Sequence, residues 1–192
     1  MEWALTVTFD TIGPLAYSVA DIARTFAALS GLDPADPSSA DRPVENFLPT
    51  IGDGIEGMRI GLPRRFFFEG LQPEVEASVL AAAHVLERAG AKLVDIDIAG
   101  IEEAQDRTFS TLVTADVAAV HREQLSDRTE TIGEGVRRRM ELGLTPTARD
   151  YSRSLCFLFA FRRDICALYQ GVDLILTLTT PITAPRWRGA MT

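Results

Sequence analysis

The chain has 192 residues, 46% of them hydrophobic, and a formal net charge of −8. That size predicts one domain over 1–192 with a core of its own, the acidic balance argues against a nucleic-acid partner, and no apolar run approaches the ~20 residues needed to cross a bilayer. Met1-Glu2-Trp3-Ala4 lacks the positive segment and apolar run of a secretory signal, so a cytoplasmic location and no membrane partner are expected.

In chain order, Ser18 and Asp21 form a Ser-x-x-Asp capping box. It predicts a helix with Val19, Ile22, Ala23, Phe26 and Leu29 on its apolar face, ended by Gly31 in the position of a left-handed cap. Leu32-Asp33-Pro34-Ala35-Asp36-Pro37-Ser38-Ser39 is rich in turn formers and opens a loop that runs to about Gly57. Residues 58–62 read as a short strand. Pro73 suits the first turn of a helix, whose stripe is Val75, Val79, Ala82, Ala83 and Leu86, and Gly90 closes it. Residues 92–98 read as a second strand, and strand–helix–strand spacing predicts a βαβ unit with a parallel pair.

A long helix is expected over about 102–125, buried through Phe109, Leu112, Val113, Val117 and Val120. A shorter one covers 133–142. Thr147 and Asp150 form a second capping box, opening a helix with Tyr151, Leu155, Leu158, Ile165 and Tyr169 in register and Gly171 at its end. Residues 173–178 are a third, largely apolar strand bounded by Thr180-Pro181. The class is α/β, with the strands largely covered by helices.

Cys156 and Cys166 fall ten residues apart on one predicted helix, about 15 Å along its axis. That is too far for a disulfide, so two reduced thiols in the core are expected. No His/Cys cluster has zinc spacing, and His84 and His121 stand far apart, so no metal or other cofactor is expected. Arg137-Arg138-Arg139 reads first as a solvated or ion-paired helix end. Eighteen of the nineteen basic residues are arginine, and Lys92 is the only lysine. Gly52-Asp53-Gly54-Ile55-Glu56-Gly57 is a literal Gly-x-Gly-x-x-Gly, but it precedes a strand and carries two acids where a phosphate would sit. It reads as a turn.

Four stretches carry a resemblance. They are Phe9-Asp10-Thr11-Ile12-Gly13-Pro14-Leu15-Ala16 with Ser18-Val19-Ala20-Asp21; Gly31-Leu32-Asp33-Pro34-Ala35-Asp36-Pro37-Ser38; Gly57-Met58-Arg59-Ile60-Gly61-Leu62-Pro63-Arg64 with Phe66-Phe67; and Thr179-Thr180-Pro181-Ile182-Thr183-Ala184-Pro185. A weaker fifth is Arg138-Arg139-Met140-Glu141-Leu142-Gly143. In order and spacing the chain resembles the C-terminal portion of amidase-signature enzymes. It departs at Tyr17, where the family usually has arginine, and at Leu178, where many members have proline. The resemblance implies a fragment of the amidase-signature fold, with a mixed sheet and helices on both faces. It also implies carboxamide hydrolysis by a Ser–cis-Ser–Lys triad, which the family carries in its N-terminal half.

That chemistry needs an activated nucleophile and a glycine-lined oxyanion hole. Only nine residues precede Asp10, and no Gly-Gly-Ser-Ser-Gly-Gly-Ser-like stretch occurs in the chain. Lys92, at a helix-to-strand turn, is expected exposed and charged, which disqualifies it as a base. His84 and His121 have no Gly-x-Ser-x-Gly elbow to serve. No catalytic residue is therefore assigned. By resemblance Arg139 is a candidate pocket-lining cation, with a charge favoured at a helix C-terminus as the alternative. Asp10 is a candidate for positioning the neighbouring signature core, with a turn residue as the alternative, and Asp21 is explained by its capping box.

Three readings follow. The first is an amidase-derived chain, truncated or encoded as a fragment, that cannot hydrolyse amides alone and self-associates or pairs with a separate N-terminal half. The second is half of an amidase, active only with such a partner. The third is a non-enzymatic binding module that reuses a pocket remnant for an amide or carboxylate small molecule.

Overall fold

The structure is a computed structural model, and it describes residues 6, 8–36, 39–127 and 132–186. Met1-Glu2-Trp3-Ala4 and the turn formers Pro37-Ser38 lie outside the described residues. The chain divides into two compact units, one of Thr11–Gly54 and one of Met1–Asp10 with Ile55–Thr192.

The smaller unit is built on α1, Val19–Leu29. Ser18 caps it: its Oγ accepts from the Asp21 N–H at 3.1 Å and donates to the Asp21 carboxylate at 2.8 Å. Of the expected apolar face only Ala23 is buried. Phe26 meets Phe47 across 5.8 Å, just before a single 3₁₀ turn, Leu48–Thr50.

The larger unit holds a three-stranded parallel sheet in the order β2-β1-β3, with β1 Arg59–Pro63, β2 Lys92–Ile96 and β3 Leu174–Ile175. The α/β class and the βαβ unit are both present. Pro73 opens α2, Pro73–Arg88, and the chain turns back through Gly90 at φ 98. Five register pairs, Arg59↔Lys92 to Pro63↔Ile96, join β1 to β2. Gly61 lies where a Cβ would sit 2.7 Å from the end of the Ile96 side chain. β3 is shorter than the apolar run 173–178 suggests: two pairs, Ile60↔Leu174 and Gly61↔Ile175, and one further bond from Leu176 N–H to the Gly61 carbonyl. Its start is fixed by Asp173, which accepts from the Arg59 N–H at 2.8 Å and from the Arg59 guanidinium at 2.8 Å.

The expected long helix is three helices: α3 Ile101–Arg107, α4 Thr114–Val120 and α5 Arg122–Asp127. A π-helical turn, Thr108–Val113, joins α3 to α4. This widened turn shifts the apolar period, so Leu112 is fully buried while Phe109 is 61% exposed. His121 leaves helical geometry at φ −100, ψ 24 and separates α5. Then come α6, Glu134–Leu142, and α7, Ala148–Leu168. Thr147 and Asp150 make the expected capping box on α7. Cys156 and Cys166 are free thiols but exposed rather than in the core. Ser154 is the buried position on α7, and Cys156, two residues on, points roughly to the opposite side of the helix.

The core is thin. Ile60, Leu62, Ile98, Leu112, Val117, Met140 and Val172 are buried together with alanines, and none of the ten phenylalanines is buried.

Candidate functional site

Asp10 lies at the end of a short segment pinned to the helices. Thr6 is 3% exposed. Its Oγ1 donates to the Asp10 carboxylate at 2.8 Å and accepts from the Phe9 N–H at 3.1 Å. The anchor is a residue that sequence reasoning passed over. Asp116 on α4 is 7% exposed, accepting from the Tyr151 hydroxyl at 2.8 Å through Oδ1 and from the Thr8 N–H at 3.3 Å through Oδ2. Burial, then the Asp116 carboxylate, push the Tyr151 phenol above the usual tyrosine range, with the Thr8 side chain pulling the other way. A sequence signal existed: Asp116 sits four residues from Leu112 and from Val120, inside an apolar stripe.

Arg139 is exposed in the last turn of α6. Its neighbours are taken: Arg137 pairs with Glu141 at 2.8 Å and Arg138 with Glu134 at 3.3 Å. The helix itself is seated on α4. Met140 is 5% exposed, and a Cβ at Gly143 would overlap the Thr114 carbonyl. Both candidate residues are thus carried by segments docked on α4, Asp10 through Asp116 and Arg139 through Met140 and Gly143.

The sheet supplies a second feature that strand spacing alone did not reveal. The chain passes from β1 to β2 on one side and returns to β3 on the other. Such a reversal leaves a crevice outside the carboxyl ends of the strands, where open α/β sheets bind ligands. The third and fourth matched stretches leave the sheet here. Phe66, three residues past β1, holds φ 70, a left-handed conformation that is rare outside glycine. Gln72 braces the opposite loop: its N–H donates to the Pro181 carbonyl at 2.9 Å, and its Oε1 accepts from the Thr183 N–H at 2.9 Å and hydroxyl at 3.0 Å.

No described arrangement activates a nucleophile. Lys92 is exposed at the first position of β2, without the burial that turns a lysine into a base. His84 is exposed with Nδ1 3.5 Å from Glu87, and His121 sits at the α4–α5 break. Gly52, Gly54 and Gly57 all have positive φ and precede β1, so this run opens no helix. A cavity of about 390 Å³ between α3 and α7 is lined by Glu103, Asp106, Arg107, Asp150, Arg153 and Ser154. Arg107 in it is already held by Glu103 at 2.8 Å and over the Phe157 ring at 5.1 Å. Among the described residues no His, Cys, Asp and Glu cluster could hold a metal ion, and no helix is long and apolar enough to cross a membrane.

Comparison with known proteins bears on the whole chain. The profile of the amidase family matches residues 2–191. An amidase from Pseudomonas putida is 34% identical over 97% of this chain and 39% of its own length. A glutamyl-tRNA(Gln) amidotransferase subunit from Pelobacter propionicus is 32% identical over 95% of this chain and 42% of its own. Among solved structures, a vestigial protein complex bearing on the origins of an s-triazine catabolic enzyme superposes with TM-score 0.83 at 26% identity, over 92% of this chain and 38% of that one. The corresponding glutamyl-tRNA(Gln) amidotransferase subunit from Thermotoga maritima superposes with TM-score 0.69 at 26% identity, over 100% and 41%. The chain spans about two fifths of the length of the relatives it matches. A profile match over nearly every residue, with relatives and folds that agree, makes this chain a member of the amidase signature family.

Proposed function

We propose that these 192 residues are the non-catalytic C-terminal portion of an amidase and do not hydrolyse amides by themselves. The observation that carries this reading is the state of the only lysine. A seryl oxygen needs a base to take its proton, and Lys92 stands exposed with no glycine- and serine-rich loop anywhere in the chain. Within this reading Arg139 faces an amide or carboxylate substrate and Asp10 orients the signature-bearing part. The purified chain, given a panel of simple carboxamides, is expected to release no ammonia above the uncatalysed rate. Release that stops when one of its own serines is replaced would overturn the reading.

A second reading, activity in assembly with a signature-bearing polypeptide, is favoured by the thin core. Aromatic side chains ordinarily dominate cores, yet here Phe109 is 61% exposed and Phe159 65%. Leu174 on β3 is 51% exposed. Apolar surface of this kind marks an interaction site. Two relatives bear names that speak of assembly, one of a complex and one of a subunit. Mixing the chain with an N-terminal amidase portion that carries the triad is expected to yield turnover that neither gives alone. No turnover with any such portion would remove this reading.

A further inference from the structure

We infer that Asp116 is a positioning residue: a buried two-point clamp that ties Thr8 to α4 and α7, and through Thr8 and Phe9 sets where Asp10 stands. A carboxylate placed inside an apolar stripe is costly unless its oxygens are satisfied. Here both are, and neither partner belongs to α4. Oδ1 takes the Tyr151 hydroxyl of α7, and Oδ2 takes the backbone N–H of Thr8, 108 residues away in sequence. Asp116 thus ties α7 to the backbone at Thr8 through its two oxygens. Two residues before Thr8, buried Thr6 holds Phe9 and Asp10 through its hydroxyl.

A hydrophobic residue at 116 could fill the same space, but it could not hold a backbone N–H. Hydrogen bonds to a carboxylate are more directional than apolar contact. The acid therefore serves placement of a chain segment in addition to packing. The raised phenol of Tyr151 agrees with a carboxylate held against it. The clamp stands on this chain's own geometry, and its consequence for turnover rests on the reading above that Asp10 orients the signature-bearing part.

The test is residue-resolved hydrogen exchange on the whole chain, comparing wild type with Asp116→Asn and Tyr151→Phe. Asparagine keeps an acceptor for the tyrosine but cannot satisfy both donors. Wild type should protect the Thr8 and Phe9 amides. Asp116→Asn should speed their exchange about tenfold, the loss of one bond to a charged group, while the amides of Ile60 and Leu112 stay as they were. Tyr151→Phe leaves the Thr8 acceptor in place and should give a smaller rise at the same two amides. It carries the test if Asp116→Asn does not fold. Asp116→Asn should also bring the Tyr151 phenol down toward the ordinary range, read by phenolate absorbance.

Unprotected Thr8 and Phe9 amides in wild type, or no change in them in either variant, would overturn the clamp. In the mixing experiment the variants should raise the concentration of partner needed for half-maximal turnover. Intact exchange results with no turnover from wild type would sink the functional reading and leave the clamp standing.

Discussion

The strand–helix–strand block of β1, α2 and β2 and the helices gathered on α4 hold together by different means. In the block, five consecutive register pairs join two strands, and within the sheet a Cβ added at Gly61 would lie nearest the tip of the Ile96 side chain. A tip can turn aside. Around α4 a Cβ added at Gly143 would run into the Thr114 backbone carbonyl, and the polar contact is the buried Asp116. Neither yields without moving a helix. The block spreads its stability over many equivalent bonds, whereas the helical cluster concentrates it in a few atoms.

Single methyl additions separate the two regions. Gly143 has φ −68, which alanine adopts freely, so Gly143→Ala tests packing alone. It is expected to cost about 3 kcal/mol, the upper part of the usual overpacking range, seen as a lower denaturant midpoint. Gly61→Ala meets Ile96 Cδ1 at 2.7 Å and Val172 Cγ1 at 3.3 Å. Side-chain rearrangement should hold its cost to about 1 kcal/mol. Equal midpoints for the two variants would erase the contrast.

Acid sharpens the comparison with a smaller effect in each region. Arg59 holds Asp173, at the start of β3, below the usual carboxylate range, and Thr147 does the same to Asp150 at the start of α7. A carboxylate whose folded pKa is depressed contributes stability above its unfolded value, near pH 4, and loses it as pH falls through the folded one. Wild type should therefore weaken steadily below about pH 4. Asp173→Asn and Thr147→Ala should each make that decline shallower in denaturant titrations repeated across acid pH. A slope unchanged in both would show that neither carboxylate is linked to folding.

Much of the framework was legible because it rests on local rules. Ser18–Asp21 and Thr147–Asp150 are read from four residues each; Thr147–Asp150 forms the full box, and at Ser18 the side-chain cap forms, with its hydroxyl rather than its backbone N–H reaching the Asp21 carboxylate. Pro73 and Gly90 bound α2 through backbone preferences that tertiary packing does not override. The stretch over 101–127 was not legible in the same way. Periodicity assumes a constant turn, and the π-helical turn at 108–113 breaks that assumption and carries Phe109 out of the buried face. The exposed thiols of α7 have a related cause: a helix whose buried position is a serine cannot be phased from its apolar residues. Asp116 was missed because an acid on a helix is usually solvated, and its partners lie 35 and 108 residues away. Strand order is likewise a long-range property, so the reversal between β1 and β3 had no local sign.

That strand order also sets a timetable for synthesis. Arg59 pairs with Lys92, close behind it in the chain, whereas Ile60 waits for Leu174. At about 5–20 residues per second, the stretch between the two partner strands takes roughly 4–16 s to emerge from a ribosome. Throughout that interval the middle strand of the nascent sheet is bare along one side. An unpaired strand edge templates wrong pairing, so the slow, late arrival of the last strand makes this the moment when the growing chain is most open to aggregation or to a chaperone.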